Sequence, residues 1–270
     1  MSLSSTPLPY SVIVTRLRAA GCVFAEDEAE LILSTAADPA ELAAMVDRRT
    51  AGLPLEHVLG WAEFRGLRIA VDPGVFVPRR RTEFLVDQAV DLSRPADGPA
   101  VVVDLCCGSG ALGAALAAAL DRVELHSSDV EPAAVRCARR NVAGAGEVYE
   151  GDLFEPLPAS LRGRVGILLA NVPYVPSEDV ELLPAEARVH EPRVALDGGD
   201  DGLDVLRRVT AEAPQWLAPG GHLLVETSER QAARAEETVA RSGLTARVVT
   251  SDELYATVVI GTRPGTGHGS

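Results

Sequence analysis

The sequence predicts an α/β fold built on a mostly parallel sheet, and three observations carry that prediction. Short apolar runs alternate with helical stretches from Ala100 onward, most runs end on a small or acidic residue, and a glycine-rich turn joins the first run to the first helix. Alternation of this kind returns successive strands to one sheet through right-handed crossovers. The first strand is Val101 to Leu105, and Cys107-Gly108-Ser109-Gly110 turns from it into an Ala/Leu-rich helix reaching Leu120. Val123 to Ser128 is the second strand, ending at Asp129, and a helix follows from Pro132 to Val142. Val148 to Glu150 is a third, short strand before Asp152. Val165 to Leu169 has no polar alternation and reads as a strand buried on both faces. A helix over Leu203 to Leu217, a strand over His222 to Glu226 and a helix over Glu229 to Arg241 come next. Ala246 to Ser251 and Tyr255 to Thr262 form a final antiparallel pair.

Upstream of the sheet the pattern differs. From Tyr10 to about Leu55 apolar residues recur at helical spacing, broken by Gly21, Pro39 and Pro54, which predicts a small module of about three helices. Trp61 to Val77 reads as a hairpin turning at Asp72-Pro73-Gly74, and Thr82 is placed to cap a helix from Glu83 to Leu92. The expected organisation is therefore a disordered tail over 1–9, a helical domain over 10–55 and a hairpin with linker over 56–99. The sheet domain spans 100–263, and a second tail covers 264–270.

Composition narrows the function. The chain has 270 residues, 47% of them hydrophobic, enough for one full α/β domain and a smaller one. No apolar stretch approaches the ~20 residues of a membrane span. The first nine residues lack the layout of a signal peptide, so the expected location is the cytoplasm. Cys106 and Cys107 are adjacent while Cys22 and Cys137 stand alone, which is neither a disulfide framework nor a metal-ligand spacing. The formal charge is −14 and all 25 basic residues are arginine. A surface this acidic repels phosphate backbones and argues against binding duplex nucleic acid.

Two stretches carry chemistry. Asn171-Val172-Pro173-Tyr174 follows the central strand, at the edge where open α/β sheets bind ligands. The Asn171 side-chain carbonyl and the Val172 main-chain carbonyl are adjacent acceptors, able to take both hydrogens of one planar NH2 group. Pro173 limits the orientations of the Val172 carbonyl, and Tyr174 adds a flat face suited to covering an amide or a base. A lone Asn-x-Pro is more often a strand ending in a capped turn, so context must decide. The second stretch is the turn after the first strand. Gly108, Gly110 and Gly113 satisfy Gly-x-Gly-x-x-Gly, with Asp129 at about the offset of a ribose ligand, a weak signal that leaves a nicotinamide cofactor open. Asp104 at the end of the first strand suits a cationic amino-acid tail better than a pyrophosphate. Asp104 to Gly110, Asp129, Asp152 and Asn171 are four strand ends expected to face one crevice.

With these residues in place the chain resembles the class I S-adenosylmethionine-dependent methyltransferases, and within them the protein-(glutamine-N5) methyltransferases of the HemK/PrmC type. The resemblance runs from about Leu53 through Pro54 to Gly60, Glu63-Phe64, Val71 to Gly74, Pro78-Arg79 and Thr82-Glu83. It continues through the Gly-rich turn, the Asn-x-Pro-Tyr clamp, Glu191-Pro192, Leu196 to Gly199 and Asp201 to Leu203. It is also similar to a related actinobacterial group of unknown substrate. The resemblance implies a Rossmann-like seven-stranded sheet with a reversed last strand, a helical N-terminal domain and a linking hairpin. It implies S-adenosyl-L-methionine as cofactor and a protein substrate, a release factor or ribosomal protein. By position, Cys106, Cys107, Gly108, Ser109 and Gly110 match the loop under the methionine part. Asp129 matches the ribose ligand, Asp152 with Leu153 the adenine neighbourhood, and Asn171 to Tyr174 the glutamine clamp. Cys106, Leu153, Arg80-Arg81 and Val172 depart from the usual residues. Three other readings stay beside this one: an adenine-N6 nucleic-acid methyltransferase acting on a flipped base, a cofactor-binding protein without catalysis, and a small-molecule N-methyltransferase, against which the helical N-terminal module argues.

Overall fold

The computed structural model describes residues 8–93 and 98–265. Both expected tails and most of the expected linker therefore fall largely outside the described residues. Three helices, α1 (Tyr10–Ala19), α2 (Ala25–Thr35) and α3 (Pro39–Thr50), precede a short α4 (Leu55–Leu59). The start of α3 is fixed by sequence: Asp38 accepts from the amides of Ala40 and Glu41 at 2.8 Å each, while Glu41 accepts from Ala37. The module has its own buried cluster, including Ile13, Leu17, Ile32, Met45 and Val46. Arg49 lies within the module, its guanidinium gripping Glu28 at 2.6 Å and 3.0 Å.

A hairpin follows, but not where the sequence placed it. Strands β1 (Trp61–Phe64) and β2 (Leu67–Ala70) turn at Arg65-Gly66, both in the left-handed region with φ of 51° and 74°. Two consecutive left-handed residues match the twist of a two-residue hairpin. Asp72-Pro73-Gly74 forms a separate turn closed by Val75 N–H on the Asp72 carbonyl, and Val75 to Val77 do not form a strand. Arginine seldom adopts a positive φ, so the Asp-Pro-Gly signal looked stronger. The expected cap at Thr82 is also absent: helix α5 (Glu83–Leu92) begins there without a side-chain capping bond, and the buried Thr82 hydroxyl has no partner among the described residues.

The main sheet has seven strands in the order β5-β4-β3-β6-β7-β9-β8. Strands β3 (Ala100–Leu105), β4 (Val123–Asp129), β5 (Gly146–Glu150), β6 (Val165–Ala170) and β7 (Leu217–Thr227) run parallel. Strand β9 (Ala256–Thr262) is antiparallel to both β7 and β8 (Thr245–Ser251), which gives the reversed last strand. Helices α6 (Ala111–Ala119), α7 (Pro132–Asn141), α9 (Asp204–Trp216) and α10 (Ala232–Arg241) cover the faces. The long segment after β6 contains the one-and-a-half-turn α8 (Ala185–His190). Chain order reverses between β3 and β6, and the carboxyl ends there open the crevice in which such sheets bind ligands.

Helix α6 is almost entirely small or apolar because it is buried along most of its length. Gly113 brings it against the sheet: a side chain there would meet Asp104 Oδ2 and Leu125 at 3.2 Å. Asn141 at the end of α7 ties the hairpin to the turn before α6. It accepts from Ala70 N–H at 2.9 Å and donates to the carbonyls of Ala70 and Ser109 at 2.8 Å each. Asn141→Ala strands these half-buried backbone groups and is expected to lower stability by about 1–3 kcal/mol in urea unfolding.

Candidate active site

A cavity of about 1100 Å³ opens at the carboxyl ends of β3, β4, β6 and β7. That exceeds the usual space for one small ligand, roughly 300–1,000 Å³. Its floor is the turn after β3. Cys106 and Gly108 both have positive φ, 52° and 54°, so the turn curls tightly and presents its backbone to the cavity. Cys106, Cys107, Gly108 and Ser109 line it. Both thiols are pushed far up by burial, with neighbouring carboxylates adding to the effect, so they stay neutral and unreactive.

Asp129, the last residue of β4, lines the cavity beside this turn. Its Oδ2 accepts from Gly108 N–H at 2.8 Å and its Oδ1 from Glu131 N–H at 2.9 Å. Burial raises its pKa, and these two amides work against that. Each oxygen keeps a further lone pair for a ligand hydroxyl. Asp152 and Leu153 line the same side. Asp152 pairs with Arg208 of α9, and Leu153, at φ 47°, is held by Ser128 Oγ on its carbonyl at 2.7 Å.

Asp104 departs from expectation. It does not line the cavity: it is 1% exposed and accepts from Gly113 N–H of α6 at 3.1 Å. Its place in β3 turns it under the helix, where it braces the turn from below and does not face the cavity. Gly110 is likewise structural: at φ 78° it caps α6, and a side chain there would press on Ala138 at 3.0 Å. All four strand ends thus line the crevice, the first through Cys106 to Ser109 and not through Asp104 or Gly110.

On the opposite wall stand Asn171, Val172, Pro173 and Tyr174. Neither the Asn171 side chain nor the Val172 carbonyl makes a hydrogen bond among the described residues. Two adjacent acceptors are left unengaged at the cavity wall, while everything around them is tied down. Val175 N–H bonds the Leu196 carbonyl at 3.1 Å, Gly198 N–H bonds the Val175 carbonyl at 2.8 Å, and Gln231 Nε2 bonds the Tyr174 carbonyl at 3.0 Å. Glycines permit this approach: a Cβ on Gly198 would fall 2.7 Å from the Pro173 carbonyl, and one on Gly202 2.3 Å from that of Tyr174. Leu196 to Leu203 and Arg81 stand out in the sequence without a structural role, while nothing local singles out Gln231 or Glu226. Arg81 and Glu226 reach the clamp from the segment before α5 and the end of β7. Glu191, buried at the same mouth, is gripped twice by Arg79 at 2.6 and 2.7 Å.

Two predictions follow from this geometry. Burial raises the Asp104 pKa to about 7, so from its ordinary value upward the unfolded chain ionises while the folded one keeps its proton. The folded state then binds more protons, and Asp104 makes stability fall with rising pH over that window, by up to about 1.4 kcal/mol per unit. Asp104→Asn keeps the acceptor for Gly113, and urea unfolding from acid to neutral pH is expected to show a shallower decline than in the wild type. The second concerns glycine crowding. Gly202 and Gly220 both have positive φ, 75° and 79°, but nothing lies within 4 Å of a Cβ on Gly220. Gly220→Ala should lose only the roughly 1–2 kcal/mol of left-handed strain, whereas Gly202→Ala should lose more in thermal unfolding and also perturb ligand binding.

The methyltransferase small domain family matches residues 66–199. The release factor glutamine methyltransferase of Geobacter sulfurreducens is 39% identical over 234 residues, covering 84% of this chain and 80% of that protein. The Mycolicibacterium smegmatis protein of the same name is 40% identical over 222 residues, covering 80% and 78%. Among solved structures, a methyltransferase from Pyrococcus furiosus superposes with a TM-score of 0.53 at 16% identity, covering 74% of this chain and 90% of that one. The ribosomal protein L11 methylase of Lactobacillus delbrueckii gives 0.52 at 15%, covering 73% and 85%, and these two likenesses concern the fold alone. With the crevice, the clamp and the level of identity in agreement, this chain belongs to the HemK/PrmC family of protein-(glutamine-N5) methyltransferases.

Proposed function

We propose that the protein transfers a methyl group from S-adenosylmethionine to the side-chain amide nitrogen of a glutamine in a peptide-release factor. The observation that carries this reading is the pair of unengaged acceptors, Asn171 Oδ1 and the Val172 carbonyl, on the wall of a cavity whose floor is the glycine-rich turn. The residues present fit the cofactor: a curled turn exposing backbone, a carboxylate at Asp129 with spare lone pairs, and the apolar Leu153 beside it. When bound there, S-adenosylmethionine supplies an electrophilic methyl on a sulfonium.

The chain's own residues address the harder half of the reaction. An amide nitrogen is a weak nucleophile because its lone pair is delocalised into its carbonyl. Acceptors on both of its hydrogens shift electron density onto nitrogen and fix its direction, and this is preorganised stabilisation of charge developing on the NH2 group. The Asn171 and Val172 oxygens have no protein partner among the described residues, so both lone pairs of each are open to the substrate amide. Val172 keeps the main-chain acceptor whatever its side chain, which is buried in the core beneath the clamp. The nitrogen–carbon bond forms as the methyl–sulfur bond breaks, leaving S-adenosylhomocysteine. The nitrogen becomes acidic only as it gains the methyl, so its proton can leave late, to solvent. The acidic surface is compatible with a protein substrate and unfavourable for a nucleic acid.

Asn171→Ala is expected to reduce turnover by about 10²–10³-fold, the size of effect seen when one charge-stabilising contact is lost. The assay is transfer of labelled methyl from S-adenosylmethionine to the organism's release factor, with peptide mass spectrometry locating the modified glutamine. Calorimetry should find cofactor affinity in the variant close to that of the wild type. Unchanged turnover would remove the clamp from the mechanism.

A further inference from the structure

The wall beneath the clamp carries a charged pair that the reaction just described does not use. Arg81 sends Nε to Glu226 Oε1 at 3.1 Å and Nη2 to Tyr174 Oη at 2.6 Å, and Tyr174 Oη donates to the same Glu226 oxygen at 3.2 Å. Three side chains thus close a ring of hydrogen bonds. They come from three separated parts of the chain: the segment before α5, the turn after β6 and the end of β7. The sheet register brings the last two together. Leu169 of β6 is paired with Leu224 of β7, and two residues further on the strands deliver Asn171 and Glu226.

Glu226 is 3% exposed, its Oε2 has no partner, and among the described residues Arg81 is the cation that pairs with it. Such a buried carboxylate is a firm anchor as long as the guanidinium stays in place. Burial, then Glu226, push the Tyr174 phenol well up, so it remains a neutral donor at ordinary pH. Its main-chain carbonyl is held independently by Gln231. The ring and the backbone of Tyr174 are therefore pinned by different groups, with rigid Pro173 between Tyr174 and the Val172 carbonyl.

We propose that Arg81 and Glu226 are positioning residues for the glutamine clamp, acting through the Tyr174 hydroxyl to fix the tyrosine ring and the direction of the two acceptors. This rests on the function proposed above and deepens it. An unanchored tyrosine in a cavity of this size would visit other rotamers, and a misplacement of about 1 Å at a reacting group can lower a rate some hundredfold. The competing role is charge compensation alone, in which Arg81 merely neutralises Glu226. Single removal of Arg81 cannot separate these roles, because it leaves an uncompensated buried charge.

The test uses four full-length proteins: wild type, Arg81→Met/Glu226→Leu, which leaves the Tyr174 hydroxyl neither partner, Tyr174→Phe, and the triple variant. Replacing both members of the pair leaves no unpaired charge and should preserve the fold. With labelled S-adenosylmethionine and the release factor, the double variant is expected to lose at least about tenfold in kcat with KM within about twofold. Tyr174→Phe should fall similarly, and the triple variant no lower than Tyr174→Phe, since the pair acts through the missing hydroxyl. Wild-type kcat in the double variant, wild-type kcat in Tyr174→Phe, or losses that multiply in the triple variant would each overturn the inference. No transfer by the wild type would instead remove the reading beneath it, and the inference with it.

Discussion

Strand β6 has to stop while its next residues stay rigid. Sheet pairing would hold them, but it would also consume the carbonyls that face the cavity. The chain resolves this with proline and with a second segment. Pro173 and Pro176 have no N–H to offer the sheet, so the strand cannot continue. The segment from Leu196 to Leu203 then runs back beside the turn, forming a bridge between Val175 and Asp197. It holds the backbone just beyond Tyr174 without taking up the Asn171 and Val172 acceptors. Gly198 and Gly202 are required because the two backbones meet closer than any Cβ allows. The geometry of Asn171 to Tyr174 therefore depends on a backbone-to-backbone contact between segments more than twenty residues apart.

The carboxylates show how the same residue type takes opposite roles at neighbouring strand ends. Asp104 precedes the end of β3 by one residue and alternation turns it towards α6, where it accepts one helical amide and is sealed from water. Asp129 is the final residue of β4 and stands at the open edge, holding Gly108 and Glu131 while lining the cavity. One residue of register separates an internal brace from a cavity-lining group. Glu226, near the end of β7, is a third case: buried like Asp104, yet balanced by a guanidinium that reaches in from the surface.

Much of this was legible in the sequence because it rests on local signals. Apolar runs, helix periodicity and the turn glycines located all seven strands of the sheet and its final antiparallel pair. The failures share a physical cause. The hairpin was misplaced because Arg65 adopts a left-handed conformation that its own side chain disfavours and that Gly66 and the paired strands impose. Asp104 was assigned to the ligand because spacing reports that a residue is near a strand end, not which face it takes. Arg81, Glu226 and Gln231 reach Tyr174 across more than fifty residues of chain, and no local pattern encodes such meetings, even at Arg81, which the sequence marks as unusual. The marks around Leu196 to Leu203 were visible, but their purpose needed the third dimension.

The long segment over the cavity mouth is held in the same manner. Arg49, rooted by Glu28 in the helical module, extends to Glu186 of α8 at 2.6 Å, and Arg79 grips Glu191 one residue beyond that helix. Ser177 and Arg193 both bond Asp197, closing the base of the segment. Tethers at both ends and the middle make it a frame fixed to two other parts of the molecule. Much of the ordering entropy of the mouth is then expended on folding, before any ligand arrives. That suits a reaction whose difficulty lies in aligning a weak nucleophile with a methyl group, where rate follows how closely the site already matches the required geometry.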